Sequence, residues 1–143
     1  MELKQLDAGQ RDELMSLIKR SGFAIVCSQG TDGHPNAKAM FCQEYDGLKT
    51  FYFSTNVSSR RTGDFKENPK ACIYVFDPAS FQGIMLVGNM TVRTDRALRE
   101  RLWRDGCEIY YPTGIDDPDY CVLQFEVLYG NYYHGLSNFD FAV

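Results

Sequence analysis

The sequence has no apolar run approaching a membrane span. Its two histidines have no ligand-spaced partners, so no zinc-type centre is expected. G-x-S-x-G, the P-loop and G-x-G-x-x-G are all missing, and no nucleophile–base pair can be assembled from the spacing. Any redox or transfer reaction would therefore have to be carried by a bound cofactor. Positive charge is also short: 15 Lys and Arg against 19 Asp and Glu leave a net charge of −4, with a pI near 5.1. That argues against nucleic-acid binding through a basic surface. The five cysteines are odd in number and form no C-x-x-C, and most lie in or beside apolar runs. This pattern is expected of buried, reduced thiols in a cytoplasmic protein. The polar start, MELKQLDAGQRDEL, reads as helix rather than as a secretory leader.

What is present is a chain of 143 residues, 44% apolar and 14% aromatic, enough for one domain over 1–143 with a full core. So many aromatics favour a β-rich fold or stacking on a planar ligand. Asp7 caps a helix to about Arg20, ended by Ser21-Gly22. Strands are expected at Phe23–Ser28, Pro35–Phe41, Leu48–Ser54, Ala71–Phe76, Gly83–Arg93 and Cys121–Tyr129. Thr31-Asp32-Gly33 and Tyr45-Asp46-Gly47 are the turns between the early strands, and Gly88 is an expected bulge. Asp95 caps another helix running to about Asp105. Gly106–Asp119 and the tail from Gly130 are left irregular. Six short strands without strand–helix–strand alternation imply a mainly β, antiparallel barrel with flanking helices.

The most informative stretch is Thr50–Pro69, TFYFSTNVSSRRTGDFKENP. Phe51, Tyr52 and Phe53 are strand formers, and Asn68-Pro69 stops a short helix. Between them lie small and hydroxylated residues, then Arg60-Arg61. A strand-to-helix bend with Ser58 and Ser59, free helix N–H groups and two guanidinium groups can hold an anion, most economically a phosphate. An ordinary serine cap followed by a solvated basic pair would read the same way. Lys38 is the only charge in its strand and points either to solvent or to an anion. Gln82 could bond a polar ring edge or sit in a plain loop. Tyr110-Tyr111 and Tyr132-Tyr133 could flank a flat ligand or fill a core or interface. Asp116–Asp119 is expected to be a solvated turn.

Taken together, these residues resemble the split-barrel family of pyridoxamine 5′-phosphate oxidase, and within it the short general stress proteins. The resemblance rests on Asn36–Met40, Asp46-Gly47 through Phe53–Asn56, Ser58–Arg61, Asn68-Pro69, Gly88 with Asp95, Leu102-Trp103 and Tyr111-Pro112-x-Gly114-x-x-Asp117-Pro118-Asp119. It covers nearly all of Phe23–Tyr133.

The resemblance implies a six-stranded antiparallel split β-barrel of Greek-key type that binds FMN. It places Lys38 on the FMN phosphate, where the family usually has arginine. Ala39 and Met40 would run under the ring by their backbone, and Ser54 and Thr55 would contact the flavin. Ser59, Arg60 and Arg61 match the family's Ser-Arg-Lys phosphate clamp, with Ser58 beside them as a further cofactor-binding candidate, and Gln82 is near its ring-contacting glutamine. It also implies a homodimer with FMN between the subunits, Tyr133 standing where an aromatic of the partner chain closes the cleft. The Arg-x-His motif that holds the substrate phosphate in true pyridoxamine phosphate oxidases is missing, since no arginine follows Arg104. The family reading is thus an FMN-dependent oxidoreductase passing electrons from a reduced nicotinamide or similar donor to a small acceptor. An FMN carrier or redox or stress sensor is the alternative. A barrel that stacks single-stranded nucleic acid is a third reading, disfavoured by the acidic pI.

Overall fold

The computed structural model describes the whole chain, Met1–Val143. Helix α1 (Ala8–Ser21) opens on a capping box: Asp7 accepts from the Gln10 N–H while the Gln10 side chain returns to the Asp7 N–H. Gly22 closes it at a φ of 73°, a left-handed conformation that glycine adopts at little cost. Leu14, Leu17 and Ile18 form its buried stripe, and the helix packs on the sheet at β5 (Lys70–Asp77).

The other strands are β1 (Phe23–Gln29), β2 (Pro35–Phe41), β3 (Glu44–Asp46), β4 (Thr50–Asn56), β6 (Gln82–Arg93), β7 (Tyr120–His134) and β8 (Ser137–Ala142). They form one antiparallel sheet in the order β2-β1-β5-β6-β7-β4-β3, with β8 added on β7. β7 is long enough to serve two neighbours along one edge. Its first half pairs with β4 and its last residues with β8, while β6 follows it on the other edge. Tyr120 to Leu123 are buried without alternation, because this part of β7 separates two cores. Leu123 and Phe125 face the main one, with Phe51, Phe53, Ile73 and Leu86. Tyr120 and Val122 face a smaller one with Leu98, Leu102 and Tyr111.

The register of β6 against β7 shifts between Val87 and Gly88, as expected for a bulge there. A Cβ on Gly88 would lie 2.0 Å from the Glu126 carbonyl oxygen, so the strands can approach this closely only at glycine.

The sheet is an antiparallel split barrel with helices, as the sequence implies, but it has eight strands rather than six. β3 was hidden because its three residues are too few to alternate, and its second half lies in an expected turn. β8 lies in the tail, where Phe139 and Phe141 alternate with polar residues but only pairing to β7 makes a strand of them. The helix after Asp95, α3 (Arg96–Leu102), ends short of Asp105. The backbone turns extended at Trp103, whose ring packs against Tyr111 and Tyr120, at centroid distances of 6.2 and 5.4 Å. Only Cys121 is buried; Cys27, Cys42, Cys72 and Cys107 are partly exposed, Cys27 and Cys72 because strand alternation turns them away from the barrel interior. No helix is long and apolar enough to cross a membrane.

Candidate functional site

The sheet does not close. β2 has a ladder only to β1. β4 pairs with β7 along its length and with β3 only over Thr50–Tyr52, so Phe53–Asn56 has a free edge. These two edges touch without hydrogen bonding. The groove along this split has a volume of about 320 Å³ and contains Lys38, Ala39, Met40, Ser54, Thr55 and Arg61. Tyr110 and Tyr111 stand at its side. Residues distant in sequence therefore meet where unpaired backbone and cationic side chains are both available.

The bend after β4 leads into helix α2 (Arg60–Glu67). Ser59 is its N-cap, its Oγ accepting from the Thr62 N–H at 3.3 Å and lying 2.9 Å from Thr62 Oγ1. Thr62 in turn donates to the Asn56 carbonyl at 2.8 Å. Asp119 ties down the rest of the bend. It accepts from the Ser58 N–H at 2.8 Å, from the Ser58 hydroxyl at 3.0 Å and from Asn56 Nδ2 at 3.0 Å. These bonds hold its carboxyl below the ordinary carboxylate value, with the Ser58 N–H contributing most. Asp119 was expected in a solvated turn; it fastens the bend because β7 pairs with β4 at this end.

Arg61 is the unusual member. Its guanidinium donates to Thr55 Oγ1, and Thr55 is buried. The Arg61 Nε is buried and has no partner, and no carboxylate pairs with this side chain. Burial lowers its pKa from the ordinary value, with Tyr111 and Cys121 opposing, but arginine stays charged. A half-buried cation with an unused donor and no counter-ion is able to take up an anion. Lys38, on the opposite lip, is exposed and also without an ion pair.

The other residues singled out from sequence lie elsewhere. Ser58 and Ser59 shape the bend, and their hydroxyls are engaged within the chain. Arg60 is exposed and lines a separate polar cleft on the other flank of α2, with Asp32, His34, Asn36 and Asp64. Gln82 is buried away from the groove. It accepts from Arg20 at 2.6 Å and from Ser80 at 2.7 Å, and donates to Tyr132 at 2.8 Å and Glu13 at 3.1 Å. Tyr133 takes a hydrogen bond from Tyr74 at 3.2 Å and lies edge-on to the exposed Phe81, also outside the groove. Sequence reasoning overlooked Gln43, Asn56 and Cys107, which line the groove. Of these, only Asn56 carried a signal, as part of the polar bend.

Residues 10–134 match the family model of pyridoxamine 5′-phosphate oxidase. A Clostridium acetobutylicum protein, described as related to general stress protein 26 of B. subtilis and of the pyridoxinephosphate oxidase family, is 46% identical over 96% of this chain and 97% of its own, with a TM-score of 0.89. Two more distant structures share the fold. General stress protein 26 of Bacillus anthracis is 16% identical, over 85% of this chain and 92% of that one, with a TM-score of 0.73. A pyridoxamine 5′-phosphate oxidase-related, FMN-binding protein of Nostoc punctiforme is 12% identical, over 94% and 89%, with a TM-score of 0.74. No curated protein matches the chain. With the matched segment running from the first turn of α1 to the end of β7, the chain belongs to the pyridoxamine 5′-phosphate oxidase family.

Proposed function

We propose that the groove between β2 and β4 binds flavin mononucleotide, with the phosphate on Arg61 and Lys38. The observation that carries this reading is the half-buried Arg61, its Nε unpartnered and no carboxylate beside it. A hydrogen bond to a charged group contributes about 1.5–3 kcal/mol. Two such contacts would give roughly 3–6 of the about 8 kcal/mol that micromolar binding requires, and burial of the flavin ring would supply the rest. The unpaired edges of Ala39-Met40 and Ser54-Thr55 offer backbone N–H and C=O groups to a polar ring edge. Ser58 and Ser59 hold the bend that aims Arg61, and Arg60 adds longer-range positive charge from the far flank.

The site is completed by a second copy of the chain, with 1–143 acting as a single domain in each. The groove lies at the small end of the roughly 300–1,000 Å³ typical of ligand pockets. Beside it, the edge strand β2 exposes Phe41, 73% accessible, and its neighbour β1 exposes Phe23, 45%, around Ala39. An apolar edge strand left bare invites pairing. Tyr133 lies outside its own chain's groove, and in this reading it meets the flavin of the other subunit. The amide of Gln82 is committed within the chain, which assigns it to fixing α1 against β6 and β7.

Bound flavin mononucleotide would supply two-electron exchange between a donor such as a reduced nicotinamide and a small acceptor. The chain's contribution is to orient the cofactor, neutralise its phosphate and keep water from one ring face with Met40 and Tyr111. Titration of the apoprotein with FMN, followed by quenching of Trp103, tests binding; anaerobic addition of reduced nicotinamide then tests electron transfer. Saturable quenching with bleaching of the bound flavin is the expected outcome. Binding without bleaching by any physiological reductant would favour the carrier or sensor reading, and no binding would overturn the proposal.

A further inference from the structure

The geometry points to a redox-active dithiol on the outer face of the sheet, formed by Cys27 of β1 and Cys72 of β5 and oxidised by hydroperoxides to a cross-strand disulfide. The two residues are directly opposed in the antiparallel ladder. Their flanking residues Val26 and Ile73 are buried and point inward, so both thiols point outward. Both are partly exposed and line one cleft with Gln29, Pro35 and Lys70. Opposed residues of antiparallel strands hold their Cβ atoms about 4.5–5.5 Å apart. A disulfide draws them to about 3.5–4.5 Å, so roughly 1 Å of closure suffices. Lys70 lies two residues before Cys72, on the same face, and adds positive charge beside the pair.

The two thiols are chemically unequal. The neighbouring Cys72 thiol brings the pKa of Cys27 down to about 7 against the opposing effect of burial. The neighbouring Cys27, together with burial, raises the pKa of Cys72. Cys27 is thus the nucleophile at neutral pH and Cys72 the resolving thiol. Elsewhere in the chain, burial raises Cys42 to about 11 and also raises Cys121, and no other cysteine is opposed to a second one in the ladder.

The Cys27 thiolate attacks one oxygen of the hydroperoxide. An S–O bond forms and the O–O bond breaks, and the departing alkoxide takes up a proton to leave as alcohol. The Cys72 sulfur then attacks the Cys27 sulfenic acid. The S–S bond forms, the S–OH bond breaks, and hydroxide leaves as water with the Cys72 proton. Two thiols are oxidised by two electrons and one hydroperoxide is reduced, giving a disulfide, an alcohol and water.

The full-length protein, reduced and freed of reductant, is treated with a small excess of tert-butyl hydroperoxide. Its free thiols are then counted after denaturation, and its peptides are mapped by mass spectrometry. The expected result is a fall from five free thiols to three, with the Cys27 and Cys72 peptides cross-linked and dithiothreitol restoring both. Cys72→Ser should leave Cys27 oxidised to sulfenic or sulfinic acid without the cross-link, and Cys27→Ser should lose no thiol. Retention of all five thiols in the parent protein, a cross-link involving another cysteine, or Cys27 overoxidised while Cys72 stays free would each overturn the inference. The parent-protein result does not depend on how the variants fold.

Discussion

Two arginines mark the contrast between the ends of this barrel. Arg20, on α1, pairs with Asp77 at 3.3 Å, donates to Gln82 at 2.6 Å and reaches Ser16 at 3.2 Å. Around it Gln82, Tyr132 and Glu13 satisfy one another, with His134 3.3 Å from Glu13. Arg61, at the split, has a buried Nε with no partner and no carboxylate. A polar group whose bonds close within the chain contributes to stability; one left open in a groove is free to meet a ligand. Variants at the two ends should therefore fail in different ways, one losing stability and the other affinity.

The largest separation is expected from the double variant Lys38→Ala/Arg61→Ala. Losing two charged contacts at about 1.5–3 kcal/mol each should weaken FMN roughly 10²–10⁴-fold, with only a small fall in Tm from the Thr55 hydroxyl that loses Arg61. Calorimetric titration beside thermal unfolding measures both, and an unfolded variant with intact affinity per folded molecule would reverse the assignment. Gln82→Ala should do the opposite. Leaving buried partners unsatisfied costs about 1–3 kcal/mol of stability, seen as a Tm several degrees lower, while FMN affinity stays within a few-fold. A large affinity loss at unchanged Tm would put Gln82 on the ring.

Acid should act on the bend through Asp119. Asp119 is held below the ordinary aspartate value near 3.9, so its charged form is the one the fold favours. Its contribution is complete above that value and is lost as pH falls through the depressed one. FMN affinity should drop in that acidic window, and in Asp119→Asn it should already be reduced at neutral pH. Trp103 quenching measures both, and a flat profile through the window in the parent protein would remove Asp119 from the site's support.

The smallest effect is expected at Arg60, exposed on the far flank. Arg60→Ala should cost about 0.2–1 kcal/mol, the scale of exposed charges, or less than tenfold in affinity by the same titration. A loss equal to that of Arg61→Ala would move the anion to the other side of α2.

The sequence made some of this contrast legible and hid the rest. β2 is found at Pro35–Phe41, as its turn signals placed it. Ser59 is the cap of α2, because a serine before a short helix is a local signal. The meeting of Lys38 with Arg61 is not local: it depends on β2 and β4 becoming facing free edges after β5, β6 and β7 have taken their places. For the same reason Arg60 and Arg61, adjacent in sequence, open onto different clefts. Asp119 looked like one more acidic turn residue, since its partners Asn56 and Ser58 are over sixty positions away. β8 and the engagement of Gln82 likewise depend on long-range pairing with β7 that no short window of residues records.

The most direct test compares FMN with riboflavin, which has the same ring but no phosphate, on the parent protein and on Arg61→Ala. If Arg61 holds the phosphate, the substitution weakens FMN by about 1.5–3 kcal/mol, roughly 10–150-fold, and leaves riboflavin affinity unchanged. Equal losses for both ligands, or no loss for either, would contradict it.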